Sequence, residues 1–228
     1  MILSSVGCGL TRLSTTIRPV ADPEGIFDEG FLASLEISVK IHHQLYPTVP
    51  PQGIYFEALV ERSFKAIKKP YAMVQASNRN LAGHDLLVEG KRISLKTETG
   101  ASTKANRITI TKLCTTEKEP WDAPTLIARV LDHLSRYEFI LMLRSIWEWP
   151  LLHYQLLEIP IDSLRLIETA NVKVSGTRKG RQSLGAKVSA DDQVLFSVFF
   201  DASDGKCAIR NLRVSDCVML REWDVKID

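Results

Sequence analysis

Cysteine is sparse: Cys8, Cys114, Cys207 and Cys217 are spread through 228 residues with no CxxC pair among them. That spacing offers no CxxC motif, and a chain of this length does not depend on disulfides for its core. The thiols read as reduced and mostly buried. Net charge is missing as well. Against 27 acidic residues stand 29 basic ones, leaving +2. So small an excess does not draw the whole molecule to a polyanion, and any nucleic-acid surface has to be a local patch. No run approaches the ~18 uninterrupted apolar residues of a membrane span. The first residues lack the charged and apolar regions of a signal peptide, so the expected location is the cytoplasm. GxxxxGK[ST], GxGxxG after a strand, GxSxG and HExxH are absent. The thiol of Gly7-Cys8-Gly9 has no following helix and no evident activator.

What is present is an ordinary globular composition, 45% hydrophobic and 25% charged, long enough for a sizeable core and short enough for one domain over residues 1–228. Residues 1–27 show no sustained period and read as an irregular N-terminal arm. Phe31, Leu32, Leu35, Val39 and Leu45 then recur near the 3.6-residue period until Pro47 to Pro51 break the chain. A second helix is expected from Ile54 to Lys68, with Phe56, Leu59, Val60, Ser63 and Ile67 inward. From His84 the texture turns to short extended runs, 84–89, 92–98 and 107–113, which read as a meander with a Gly90-Lys91 turn. Residues 122–136 read as a helix with Pro124 in its first turn. Strands follow at 139–143 and 154–159, and hairpins fill 172–214, with turns at Asp191-Asp192 and Asp204-Gly205.

The stretch from Gly83 to Glu98 places an Asp at the start of one strand and a Lys inside the next. Strands joined by a tight turn lie about 4.8 Å apart, so Asp85 and a residue between Ser94 and Lys96 approach one another. Alternation puts Ser94, Lys96 and Glu98 on one face, read as polar, and Ile93, Leu95 and Thr97 on the other, read as core. This stretch resembles the active-site hairpin of the PD-(D/E)XK nucleases, especially the type II restriction endonucleases. Asp85 matches the family's Asp, Lys96 its Lys, and Glu57 the Glu on a preceding helix. His84 stands where the family has Pro, and Ser94 where it usually has the second acid.

The resemblance implies an α/β fold with a restriction-endonuclease-like core, a mixed central sheet built around residues 84–113 and 138–159 with helices on both faces, and a β-rich C-terminal extension. It implies a Mg²⁺-dependent endonuclease cutting double-stranded DNA at a short palindromic site as a homodimer. Asp85 would be the central metal ligand and the Leu95 carbonyl would complete the inner sphere. Lys96 would stand beside the attacking water as electrostatic partner or general base. Glu57 would supply the second carboxylate, with Glu98 as the fallback. Magnesium is held by one or two carboxylates plus waters and phosphate oxygens, which is why such groups gather where phosphodiesters are hydrolysed. A repair or recombination nuclease on the same scaffold is the alternative enzyme; a DNA-binding or adaptor module that lost its second acid at Ser94 is the non-enzymatic one.

A second feature points to DNA. Lys173, Arg178, Lys179, Arg181 and Lys187 fall in residues 171–187, a window with no acid and three glycines. Such a hairpin meets phosphates through Lys179 and Lys187 and base edges through Arg178 and Arg181. Each of these features also has an ordinary reading. Lys96 fits a solvated strand face, Glu57 a helix-surface charge pattern with Glu61 and Lys65, Asp85 a turn cap, and 171–187 a solvated loop. Trp147, Trp149 and Tyr154 read as core or dimer-interface aromatics, and His42-His43, without partners at metal spacing, as surface residues.

Overall fold

The computed structural model describes residues 25–74, 83–116, 120–175 and 182–227. Most of the N-terminal arm therefore lies outside the described residues. Ile26 and Phe27, at its end, are buried against the first helix.

That helix, α1 (Glu29–Leu45), starts where Asp28 caps the Phe31 amide through Oδ1 at 2.9 Å, a contact worth about 1 kcal/mol. α2 (Ile54–Ala66) follows after the proline-rich break, its buried side being Phe56, Val60, Ser63 and Phe64. Six strands make the central sheet: β1 (Ala72–Met73), β2 (Leu86–Val88), β3 (Lys91–Glu98), β5 (Phe139–Glu148), β6 (Leu151–Pro160) and β11 (Val218–Lys226), neighbours in that order. The sheet is mixed, because β3 pairs with β5 in parallel while its other ladders are antiparallel. The remaining strands, β4 (Arg107–Thr115), β7 (Lys173–Val174), β8 (Leu184–Ala190), β9 (Gln193–Asp201) and β10 (Lys206–Arg213), form a second sheet in the order β4-β10-β9-β8-β7. α3 (Ala123–Leu134) and the short α4 (Ile161–Arg165) complete the helices. The expected α/β architecture with a β-rich C-terminal part is the one observed.

Two cores follow from the alternation of side chains across the central sheet. On one face Leu86, Ile93, Leu95, Leu141, Leu143 and Leu156 pack with Phe31, Leu35, Phe56, Val60 and Phe64 of α1 and α2. On the other, Ile140, Met142, Leu157 and Ile159 pack with Leu126, Val130 and Leu134 of α3 and with Phe196, Val198 and Phe200 of the second sheet. The sheet is thus covered on both sides, which is the environment a parallel pair normally occupies.

Two sequence expectations are corrected here. The run 107–113 does not extend a meander from β3. Its strand leaves the central sheet and pairs with β10, Cys207 opposite Cys114, and the place beside β3 goes to β5 through a crossover that contains β4 and α3. Alternation marks an extended segment without naming the sheet it joins. The tight turn after β2 is formed by Glu89 and Gly90, both at positive φ (50° and 79°), as a two-residue hairpin turn requires, and not by Gly90-Lys91.

Candidate active site

β2 is only three residues long, and its brevity shapes the site. Leu86 faces Ile93 in the antiparallel ladder, and one step earlier the Asp85 amide donates to the Ile93 carbonyl at 2.9 Å while the Asp85 carbonyl accepts from Val74 at 3.0 Å. The backbone of Asp85 is pinned on both sides. Its side chain points to the face opposite Leu86, where Oδ2 accepts from the Ser94 hydroxyl at 3.0 Å and from the Leu95 amide at 2.7 Å. The amide and carbonyl of a strand residue point to the same side. The Leu95 carbonyl is therefore directed toward the edge that Asp85 occupies, away from the β5 ladder.

Lys96 is the next residue along and shares the face of Ser94; in the parallel register Ser94 lies beside Ile140 and Lys96 beside Met142. Ser94 is 1% exposed, and Lys96 is half-buried. The face read as polar and solvated is thus an interior face, covered by α3 and the second sheet. Period-2 patterning reports polarity and not what covers it.

Glu98, two residues further along, has other work. Its Oε2 accepts from Arg144 Nε at 2.7 Å and its Oε1 from the Thr109 amide at 2.9 Å. Arg144 is fully buried. Its remaining donors reach the Gln155 side chain and the carbonyls of Lys104, Ala105 and Arg107, so each of the five N–H groups of the guanidinium has an acceptor. Gln155 passes the chain on to Glu222 at 2.9 Å. Burial pushes the Glu98 carboxyl up from its ordinary range against the pull of Arg144 and Thr109. Both Glu98 oxygens serve this belt, which ties the exit of β3 to β5, β6 and β11.

Glu57 sits half-buried one residue past Phe56 on α2, the helix against the Ile93 and Leu95 face. It approaches β3 from the side opposite Lys96. The structure therefore brings together Asp85, Ser94, Leu95 and Lys96, and sets Glu98 and Glu57 apart from them in different ways. Among the described residues no three His, Cys, Asp or Glu side chains form a ready-made metal cluster. One oriented carboxylate with a strand carbonyl on the same edge nevertheless suits a cation that keeps water and phosphate oxygens for its other positions.

Arg178, Lys179 and Arg181 lie outside the described residues. Lys187 is exposed on the outer face of the second sheet, opposite Ser197, which in turn faces Arg210. The Arg210 guanidinium lies 4.1 Å over the Phe199 ring. This second exposed cation escaped the sequence reading because it lies 23 residues further along the chain and meets Lys187 only through strand pairing. His42 and His43 are buried rather than at the surface: His42 Nε2 meets the Val49 carbonyl at 2.9 Å, and His43 meets the Pro47 carbonyl at 2.9 Å and the Tyr154 hydroxyl at 2.6 Å. Burial accordingly lowers the pKa of His43. Tyr154 is buried core stacked on Trp223, Trp147 donates to the Thr99 carbonyl, and Trp149 is 71% exposed.

An aspartate oriented by the following strand and a lysine two residues past the serine that holds it thus stand together on a mixed sheet between helices. Residues 1–225 match the model of the SmaI family, type II site-specific deoxyribonucleases, and the chain belongs to that family. It is also similar to the type II restriction enzyme SmaI of Serratia marcescens, 30% identical over 154 residues, which are 65% of this chain and 62% of that protein. The chain thus spans under two thirds of the length of that relative. No solved structure matches. No helix among the described residues is long and apolar enough to cross a membrane.

Proposed function

We propose that the protein hydrolyses phosphodiester bonds of double-stranded DNA at a short specific sequence, as a Mg²⁺-dependent restriction endonuclease acting in the cytoplasm as a homodimer. The observation that carries the reading is the convergence of the Asp85 carboxylate and the Leu95 carbonyl on the strand edge just before β2 begins, with Lys96 next to them. Family membership supports it.

Asp85 and the Leu95 carbonyl would hold the cation, which when bound neutralises charge on the phosphate and lowers the pKa of a water. The Ser94 hydroxyl and the Leu95 amide fix the Asp85 carboxylate in one orientation before substrate arrives, the preorganisation that a reacting site needs. Lys96 places a fixed positive charge on the same face, where it orients the attacking water and attracts the phosphate oxygens. Glu57, on the helix that covers the opposite face of β3, is proposed as the second acid; Glu98 is the poorer choice, since Arg144 and Thr109 take both its oxygens. Lys187, with Arg178, Lys179 and Arg181, is proposed to contact DNA.

Incubation of a sequenced supercoiled plasmid with Mg²⁺ tests the reading. A fixed set of fragments is expected from the wild type, and none from Asp85→Ala or Lys96→Ala, with the fold and DNA binding in Ca²⁺ retained, although Asp85→Ala should melt lower because the Ser94 hydroxyl and the Leu95 amide lose their acceptor. More than a few per cent of activity in Asp85→Ala refutes the assignment. Nicking without fixed positions would point to the repair-nuclease alternative, and an inert wild type to the adaptor.

A further inference from the structure

The end of α3 and the turn after it carry buried polar atoms that meet no partner among the described residues. His133 is 8% exposed and Tyr137 3%. Among the described residues, neither ring nitrogen of His133 nor the Tyr137 hydroxyl meets a hydrogen-bond partner. The two rings touch edge to face, with centroids 5.4 Å apart. Buried polar atoms in folded proteins are nearly always paired with protein or ordered water. An imidazole and a phenol placed there only to fill volume would serve no better than leucine and phenylalanine, which leave nothing unpaired.

Their location supplies a reason. Tyr137 belongs to the same core as Ile140 and Met142, and these two residues lie beside Ser94 and Lys96 in the parallel ladder. Residues paired across a ladder project from the same face. His133 and Tyr137 therefore cover the face from which Ser94 and Lys96 project and to which the Asp85 carboxylate turns. Both charges are felt there: burial first, then the Lys96 ammonium, push His133 down to about 4, while Asp85 pulls the other way. The Asp85 charge also reaches Tyr137. A neutral imidazole presents one donor and one acceptor, and a phenol presents both.

We propose that His133 and Tyr137 are positioning residues of the cleavage site, whose ring nitrogens and hydroxyl hold the waters lying between Asp85 and Lys96 when DNA is cut. The inference rests on the assignment of that site to phosphodiester hydrolysis. A magnesium-sized cation keeps several of its waters, and bridging waters link groups nearly as well as direct contacts do. The two side chains touch neither the cation nor the phosphate; they act by fixing the water shell.

Tyr137→Phe and His133→Leu, made beside Asp85→Ala, separate this role from a structural one. Removing an unpartnered hydroxyl leaves the packing intact, so the metal-free Tyr137→Phe protein is expected to melt at or above the wild-type temperature. Its single-turnover cleavage is expected to slow at least tenfold and its affinity for Mn²⁺ to fall about fivefold, with DNA affinity in Ca²⁺ unchanged. His133→Leu is expected to behave alike, and His133→Asn, which keeps a donor and an acceptor, to recover part of the rate. Wild-type cleavage and Mn²⁺ affinity in both Tyr137→Phe and His133→Leu, with Asp85→Ala inactive, would overturn the inference and leave the site standing. An active Asp85→Ala protein would instead overturn the site assignment, and this inference with it.

Discussion

Acid should destabilise this protein through His133 in a way that one substitution removes. The imidazole is 8% exposed and held down from 6.5 to about 4, by burial first and then by Lys96, Arg129 and Arg136. A histidine whose pKa is lowered in the fold gives stability that is fully present above its unfolded value and is lost as pH falls toward the folded one. The window here runs from about pH 6.5 down to 4. A gap of about 2.5 units at ~1.36 kcal/mol per unit makes the loss about 3 kcal/mol, or roughly 6–12 °C in melting temperature for a chain of this length. Urea unfolding of the wild type and His133→Leu at about pH 7.5, 6, 5 and 4 measures it. The wild type should lose about 3 kcal/mol more than the variant over that range. If the two curves run parallel to within about 1 kcal/mol, burial and the neighbouring cations do not hold the imidazole neutral in the fold, and the reasoning fails.

Glu57→Gln and Glu98→Gln should fail for different reasons. Glu57→Gln should slow cleavage far more than it lowers stability, whereas Glu98→Gln, leaving either Arg144 or the Thr109 amide short of an acceptor, should cost about 1–3 kcal/mol in urea unfolding. Equal melting temperatures for the two variants would refute the distinction. Neutralising Lys179 and Lys187 together should lower the slope of log affinity against log salt by about 2 per protomer, and replacing Arg178 or Arg181 should relax sequence choice more than it weakens binding to random duplex. Anisotropy titrations in Ca²⁺ at several salt concentrations read both effects; an unchanged slope in the double variant would end the DNA-contact reading of residues 171–187.

Local signals were legible and non-local ones were not. α1 and α2 follow from apolar spacing and the proline break, α3 from Asp122 capping Thr125 with Pro124 in the first turn, and the β2–β3 hairpin from two short runs around a glycine. The pairing of Asp85 with Ser94 and Leu95 was legible too, because residues nine or ten apart across a tight turn have few ways to meet. The partner of β3 on its other side was not, since β5 begins 41 residues after β3 ends and no short-range pattern records the pairing. The same gap hid Arg144, which supplies the counter-charge to Glu98 from β5. β11, which closes the sheet against β6, was missed because it is an edge strand of mixed burial. His133 and Tyr137 did leave a trace: they continue the stripe of Leu126, Val130 and Leu134 at three- and four-residue spacing. A histidine and a tyrosine on an otherwise apolar stripe are the signal that reading the stripe as core alone passed over.

The exchange of strands between the two sheets bears on how such a protein can be remade. The chain builds β1 to β3 in the central sheet, leaves for β4, returns for β5 and β6, leaves again for β7 to β10, and comes back for β11. A break anywhere between residues 98 and 218 leaves the central sheet divided between two fragments. The half that holds Asp85 and Lys96 cannot be lifted out with its fold intact, and neither can the basic hairpins. On the proposed assignment cleavage and recognition share one fabric, so new specificity would have to come from point changes at exposed positions such as Lys187 and not from transplanting a segment as a cassette.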